Sequence, residues 1–320
     1  MSTPTSVRTR NGAAPTDRGV SSHRNPGADA RTEPEVKERA VRFGRGSGLV
    51  GIVSEPQRAR ERTTGVILVN AGILHRVGPS RLNVYMARNF ARAGFPCLRF
   101  DLSGIGDSDP SRDALPFEES SVRDVREAMD FLGANRDLDG FTVVGLCSGA
   151  DLAYRAALAD PRIRAIAPID GHAYHTWRYH LHRFGPRFFR FGSWWNLVTG
   201  RTYIGPWVRG VFSGDRGEPG ARGDVEGDIF QRPLPPKEEL QGQLQILVDR
   251  GVRIFAVFSG GMRGRYNYGS QFRDAFRSVD FHGLLDETFL RDADHTFTNP
   301  RRRGVLVDAV TEWALDRRAT

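Results

Sequence analysis

Between residues 65 and 169, short apolar runs alternate with segments whose apolar residues recur at helical spacing, and no other feature limits the fold as strongly. The runs at 65–70, 95–100, 141–144 and 163–169 lack polar alternation, as strands covered on both faces do. The segments 80–92, 121–132 and 150–159 between them place residues such as Leu82, Tyr85, Phe90, Val125 and Met129 at helical spacing. Strict alternation of this kind predicts an α/β architecture, a mostly parallel eight-stranded sheet with helices on both faces. At one edge, alternating stretches at 41–43 and 49–53 predict a hairpin. The pattern breaks after Asp170. It resumes with a helix at 238–249, strands at 252–258 and 284–290, and a closing helix at 305–315.

That break sets the organisation. Residues 171–235 read as an insertion after the sixth strand, with Tyr174, Trp177, Trp194, Trp195 and Trp207 interleaved with arginines such as Arg178 and Arg183. In a doubly wound sheet such an insertion lies over the ligand crevice, which predicts an aromatic cap. Residues 1–37 are rich in Ser, Thr, Pro, Gly and Arg and have too few large apolar side chains to offset the entropy of ordering them, so they read as a disordered tail. The core then comprises 38–170 and 236–320. The tail has no apolar stretch like that of a secretory signal, and no apolar run approaches the roughly 20 residues of a membrane helix. With only Cys97 and Cys147, no disulfide framework is available, and the reading is a cytoplasmic protein.

The charge balance of 46 basic against 38 acidic residues first suggests a polyanionic partner. The basic set is 44 arginines and two lysines, spread along the chain with no nucleic-acid-binding signature, so a nucleic-acid partner is not expected.

The chemistry concentrates at Val143-Val144-Gly145-Leu146-Cys147-Ser148-Gly149-Ala150, an apolar strand running through Gly-x-Cys-x-Gly into a helix. Such a strand–turn–helix raises its central side chain above the sheet and sets the next helix's N-terminal amides beside it. Cys147 is therefore the candidate nucleophile, against the plain structural reading of a buried core thiol. Ser148 is the competing nucleophile, one residue past the apex, and its amide is a candidate oxyanion donor. A second donor is expected from the loop after the 65–70 strand, at Ile73 or Leu74, with His75 and Arg76 at the site mouth. His295, between the last strand and the last helix, is the candidate base.

The third member is less regular. After the 252–258 strand the chain reads Ser259-Gly260-Gly261-Met262-Arg263, with no Asp where one usually follows the glycine. Two residues can orient His295: Asp170, closing the 163–169 strand, and Asn267 as an alternative. Asp170 is preferred because a carboxylate also stabilises an imidazolium. His172, His175, His180 and His182 gather in the insertion without metal-site spacing and read as polar members of an aromatic surface, so neither metal nor cofactor is expected.

Over residues 40–318 these features resemble the α/β-hydrolase superfamily. Within it, the run Asn70 to Pro79 followed by Phe100 to Ser108 is similar to bacterial hydrolases associated with exosortase and polysaccharide gene clusters. The acid at Asp170 resembles its placement in thioesterase domains of polyketide and peptide synthases, and Cys for Ser resembles dienelactone hydrolases. The resemblance implies acyl transfer from an ester or thioester through a Cys147–His295–Asp170 triad, with hydrolysis or transfer to an acceptor. The cap suggests a bulky apolar acyl group, small or carrier-bound, contacted by His75, Arg76, Tyr174, Trp177 and Arg178. Rival readings are an eliminase or cyclase on the same fold, a ligand-binding pseudo-hydrolase, and peripheral attachment to a membrane surface through the basic cap. The sequence sets no oligomeric state.

Overall fold

Strands β1 (Val36–Phe43), β2 (Leu49–Pro56), β3 (Thr64–Leu68), β4 (Cys97–Phe100), β5 (Gly140–Leu146), β6 (Ile163–Ile169), β7 (Arg253–Ser259) and β8 (Leu285–Leu290) form one sheet in the order β1-β2-β4-β3-β5-β6-β7-β8. The structure is a computed structural model that describes residues 36–57, 62–111, 113–134, 136–188 and 234–316. The β1–β2 and β2–β4 pairs are antiparallel, and every pair from β4 through β8 is parallel. Every residue of β4 and β5 is buried, which explains their unbroken apolar runs.

Alternate strand residues feed two cores. Ile67, Val143, Ile166 and Ile254 face one side, packed under helices α2 (Phe117–Gly133), α3 (Ser148–Ala159) and α5 (Lys237–Asp249). Val66, Val144, Ala167 and Val257 face the other, under α1 (Leu82–Arg92) and α7 (Pro300–Leu315). The one-turn α6 (Gln271–Ala275) adds Phe272 and Ala275 to the first of these cores, and α4 (Trp177–Phe188) follows β6.

Several boundaries differ from the sequence reading for local reasons. β1 takes in Val36 and Lys37, which the reading left with the tail, because pairing with Pro56 and Glu55 extends the hairpin. Helix α1 starts at Leu82 rather than at 80, since Ser80 and Arg81 hold left-handed φ values of 49° and 63°. Helix α7 starts five residues early, at Pro300, where the Asn299 side chain accepts hydrogen bonds from the Arg301 and Arg302 amides. Of the expected cap, α4 is described, whereas Trp194, Trp195 and Trp207 lie outside the described residues, as do residues 1–35 of the expected tail.

Candidate active site

The site stands where β5, β6, β7 and β8 end. Cys147 lies between β5 and α3 with φ 59° and ψ −120°, a conformation that a side chain adopts only when its surroundings over-determine it. Two glycines make the turn feasible. A Cβ on Gly145 would lie 2.2 Å from the Gly149 carbonyl oxygen, and one on Gly149 would lie 2.5 Å from that of Asn70. The Cys147 amide donates to the Ile169 carbonyl at 2.9 Å, tying the turn to the end of β6.

Asp170 follows directly, fully buried and with a left-handed φ of 49°. Its amide donates to the Val257 carbonyl, and its Oδ2 lies 2.7 Å from His295 Nδ1. The other face of the imidazole's reach is the Cys147 thiol, which hydrogen-bonds the ring. Burial pulls the His295 pKa down, but the hydrogen bonds and charges of Asp170 and Cys147 outweigh it and raise the pKa from 6.5 to about 10. Both partners thus favour the protonated ring. The loop presenting it is pinned by Asp294, whose carboxylate accepts from the amides and hydroxyls of Thr296 and Thr298. Burial acts to raise the Asp294 pKa, yet these four donors hold it down at about 2.

Around this chain of contacts the structure sorts the remaining candidates. The Ser148 N–H is the first of α3 and has no intrahelical acceptor, so it is available to an oxyanion. The Ser148 hydroxyl accepts from the Gly72 amide at 2.6 Å and joins the two loops instead of standing at the apex. In the loop after β3, the Leu74 amide donates to the Ala71 carbonyl, which removes it as an oxyanion donor and leaves Ile73, 91% exposed. His75 is exposed at the loop's outer side.

Arg76 belongs to the scaffold. Its guanidinium pairs with the fully buried Asp101 and lies 2.7 Å from Asp107, and its amide also donates to Asp101, so its charge is engaged within the protein. Asn267 does not reach His295. Its side-chain amide donates to the Tyr179 carbonyl at 3.0 Å and its backbone amide to Gln271, because its loop packs under α4. Arg178 is likewise engaged, 2.9 Å from Asp274 and over the Tyr268 ring. The Tyr174 hydroxyl donates to the Pro235 carbonyl, joining the two ends of the insertion, while Trp177 is 67% exposed.

Of the four histidines of the insertion, His175 and His180 meet edge to face at 5.6 Å and both contact Tyr179. His172 lies 3.1 Å from Asp151 on α3, His175 bonds the Gly264 carbonyl, and His182 stacks on Tyr268. Among the described residues no three His, Cys, Asp or Glu side chains are grouped to hold a metal ion, and no helix is long and apolar enough to cross a membrane. One site residue has no counterpart in the sequence reading. Ser259, at the end of β7, donates both its amide and its hydroxyl to Asp170, at 2.6 and 2.7 Å. A lone serine at a strand end gave no signal of this.

An eight-stranded, mostly parallel sheet with a strained Cys turn after β5 and a histidine after β8 defines an α/β-hydrolase fold. Comparison with known proteins agrees. A family model of the alpha/beta hydrolase fold matches residues 65–196, and the chain has that fold. No curated protein matches the sequence. Among solved structures, naproxen esterase (carboxylesterase NP) from Bacillus subtilis is similar at 13% identity and a TM-score of 0.50, over 88% of this chain and 92% of that one. The esterase domain of a Rhodothermus marinus protein is similar at 15% identity and a TM-score of 0.50, over 88% and 98%. Likeness at these identities is one of fold.

Proposed function

We propose that the protein is an acyl-transfer enzyme with Cys147 as nucleophile, acting on an ester or thioester. The observation that carries this reading is the continuous contact from buried Asp170 through His295 to a thiol on a positive-φ turn. An imidazolium and the N-terminus of α3 both favour the thiolate. The Cys147 thiolate adds to the carbonyl carbon, forming a C–S bond, and the displaced electron pair rests on oxygen facing the Ser148 and Ile73 amides. Collapse expels the alkoxide or thiolate leaving group, which takes the proton from His295. The neutral ring then removes a proton from water or an acceptor hydroxyl or amine, whose attack releases the acyl group and restores the pair.

The acid's position after β6 and the sulfur nucleophile support a thioester substrate, small or carrier-bound, because thioesters exchange readily with thiols and amines. The exposed apolar side chains of Trp177 and Leu181 on α4 support a bulky apolar acyl group. Resemblance to hydrolases of polysaccharide gene clusters extends the proposal to a biosynthetic setting. Against the pseudo-hydrolase reading, which rested on a missing acid after β7, the Asp170–His295 contact at 2.7 Å supports the enzymatic one.

Intact-protein mass spectrometry after mixing with activated esters and acyl thioesters tests the reading. Acyl mass is expected on the wild type and absent from Cys147→Ala. Turnover that survives in Cys147→Ala overturns it.

A further inference from the structure

The end of β7 is where the sequence lacks its usual acid, and the structure shows what stands there instead. Ser259 is fully buried. Its hydroxyl donates to Asp170 Oδ2 at 2.7 Å, the same oxygen that lies 2.7 Å from His295 Nδ1, and its amide donates to Oδ1 at 2.6 Å. The hydroxyl oxygen in turn accepts from the Gly261 amide at 3.2 Å. Gly261 lies directly against the base: a Cβ there would be 2.5 Å from the His295 amide nitrogen. One hydroxyl thus spans the acid on β6 and the turn beneath the histidine on the loop after β8.

We infer that Ser259 is a positioning residue that fixes the rotation of the Asp170 carboxylate and, through it, the orientation and protonation of His295. The inference rests on the proposed role of the Cys147–His295–Asp170 contacts. Asp170 projects from a left-handed backbone position, and the last torsion of its carboxylate is a soft one that the donors around it set. Two donors from Ser259 hold Oδ1 and Oδ2 in place, so that Oδ2 faces Nδ1. Without the hydroxyl, the Asp170–His295 bond loosens, the imidazolium loses part of its counter-charge, and the thiolate loses its partner.

The test needs no substrate. Alkylation of Cys147 by iodoacetamide, followed by mass spectrometry across pH, reports the thiolate; Cys97 is fully buried and stays silent. Wild type is expected to show a plateau of reactivity. In Ser259→Ala the acidic limb of that plateau should move up by about one to two pH units, with a matching loss of about tenfold to a hundredfold in alkylation rate on that limb, the worth of a hydrogen bond to a charged group. Ser259→Thr, which retains the hydroxyl, should restore the profile. In an Asp170→Asn background, Ser259→Ala should change nothing further.

An unchanged alkylation profile in folded Ser259→Ala overturns the inference, as does a profile that shifts equally with and without Asp170. A lowered Tm with an intact profile also overturns it, since a purely structural serine would behave in that way. Failure of the acyl-transfer reading appears separately, as no acyl adduct on a Cys147 that alkylates normally.

Discussion

The turn after β5 and helix α4 both stand at the C-terminal edge of the sheet, and they are built in opposite ways. The turn is over-determined: glycine-only approaches at 2.2 and 2.5 Å, a strained Cys147, and a main-chain bond to β6 leave it one geometry. Among the described residues, helix α4 is held through Tyr179 and Arg178. Tyr179 is buried, with its hydroxyl on the Gly264 carbonyl, and Arg178 pairs with Asp274, while Trp177 and Leu181 face outward at 67% and 58% exposure. Rigidity is placed where groups meet within hydrogen-bond reach, on buried strand ends, and the exposed face of α4 is less constrained.

That contrast ranks the expected effects of substitution. On the proposed mechanism, Cys147→Ala should abolish acyl adduct formation, with a fall in turnover of at least about 10⁴-fold measured on an activated thioester, because Cys147 would carry the covalent step. Next comes the scaffold under the loop after β3. Arg76→Ala leaves the fully buried Asp101 without its main counter-charge and should lower unfolding free energy by about 3 kcal/mol, read from urea denaturation. If stability is unchanged, Arg76 is available to substrate after all.

Gly149→Ala forces a Cβ against the Asn70 carbonyl and should destabilise by about 1–3 kcal/mol in the same assay, while also opening the turn. The imidazole gives a smaller, pH-dependent effect. Its folded pKa is raised from 6.5 to about 10, so its contribution to stability is full below about pH 6.5 and is lost as pH rises through about 10. Wild-type Tm should therefore fall across that window relative to His295→Gln. The smallest effect is expected on α4. Trp177→Ala should leave stability within about 0.5 kcal/mol and kcat unchanged, with KM rising only for long acyl chains. A large loss of kcat there would erase the contrast between the two regions.

The same contrast governs what could be read from the chain alone. The order of strands and helices, the Gly-x-Cys-x-Gly turn and the histidine after the last strand are local patterns, each spelled within about ten residues, so periodicity and turn chemistry expose them. Partners far apart in sequence are not spelled. Arg76 reads as a mouth residue until Asp101, on the neighbouring strand's end, claims its guanidinium. Leu74 reads as a donor until its amide turns back to Ala71, and Asn267 reads as an orienting group until α4 packs over it. Arg178 is likewise paired, with Asp274.

The alternating architecture and the place of the sulfur are legible in the chain, because strand burial and a glycine turn depend on near neighbours. Which polar groups meet follows from packing between strands. The buried carboxylate of Asp170 receives donors from Ser259, 89 residues away, and from His295, 125 residues away. Parallel pairing of β6, β7 and β8 brings those strand ends side by side, and no spacing along the chain records that adjacency.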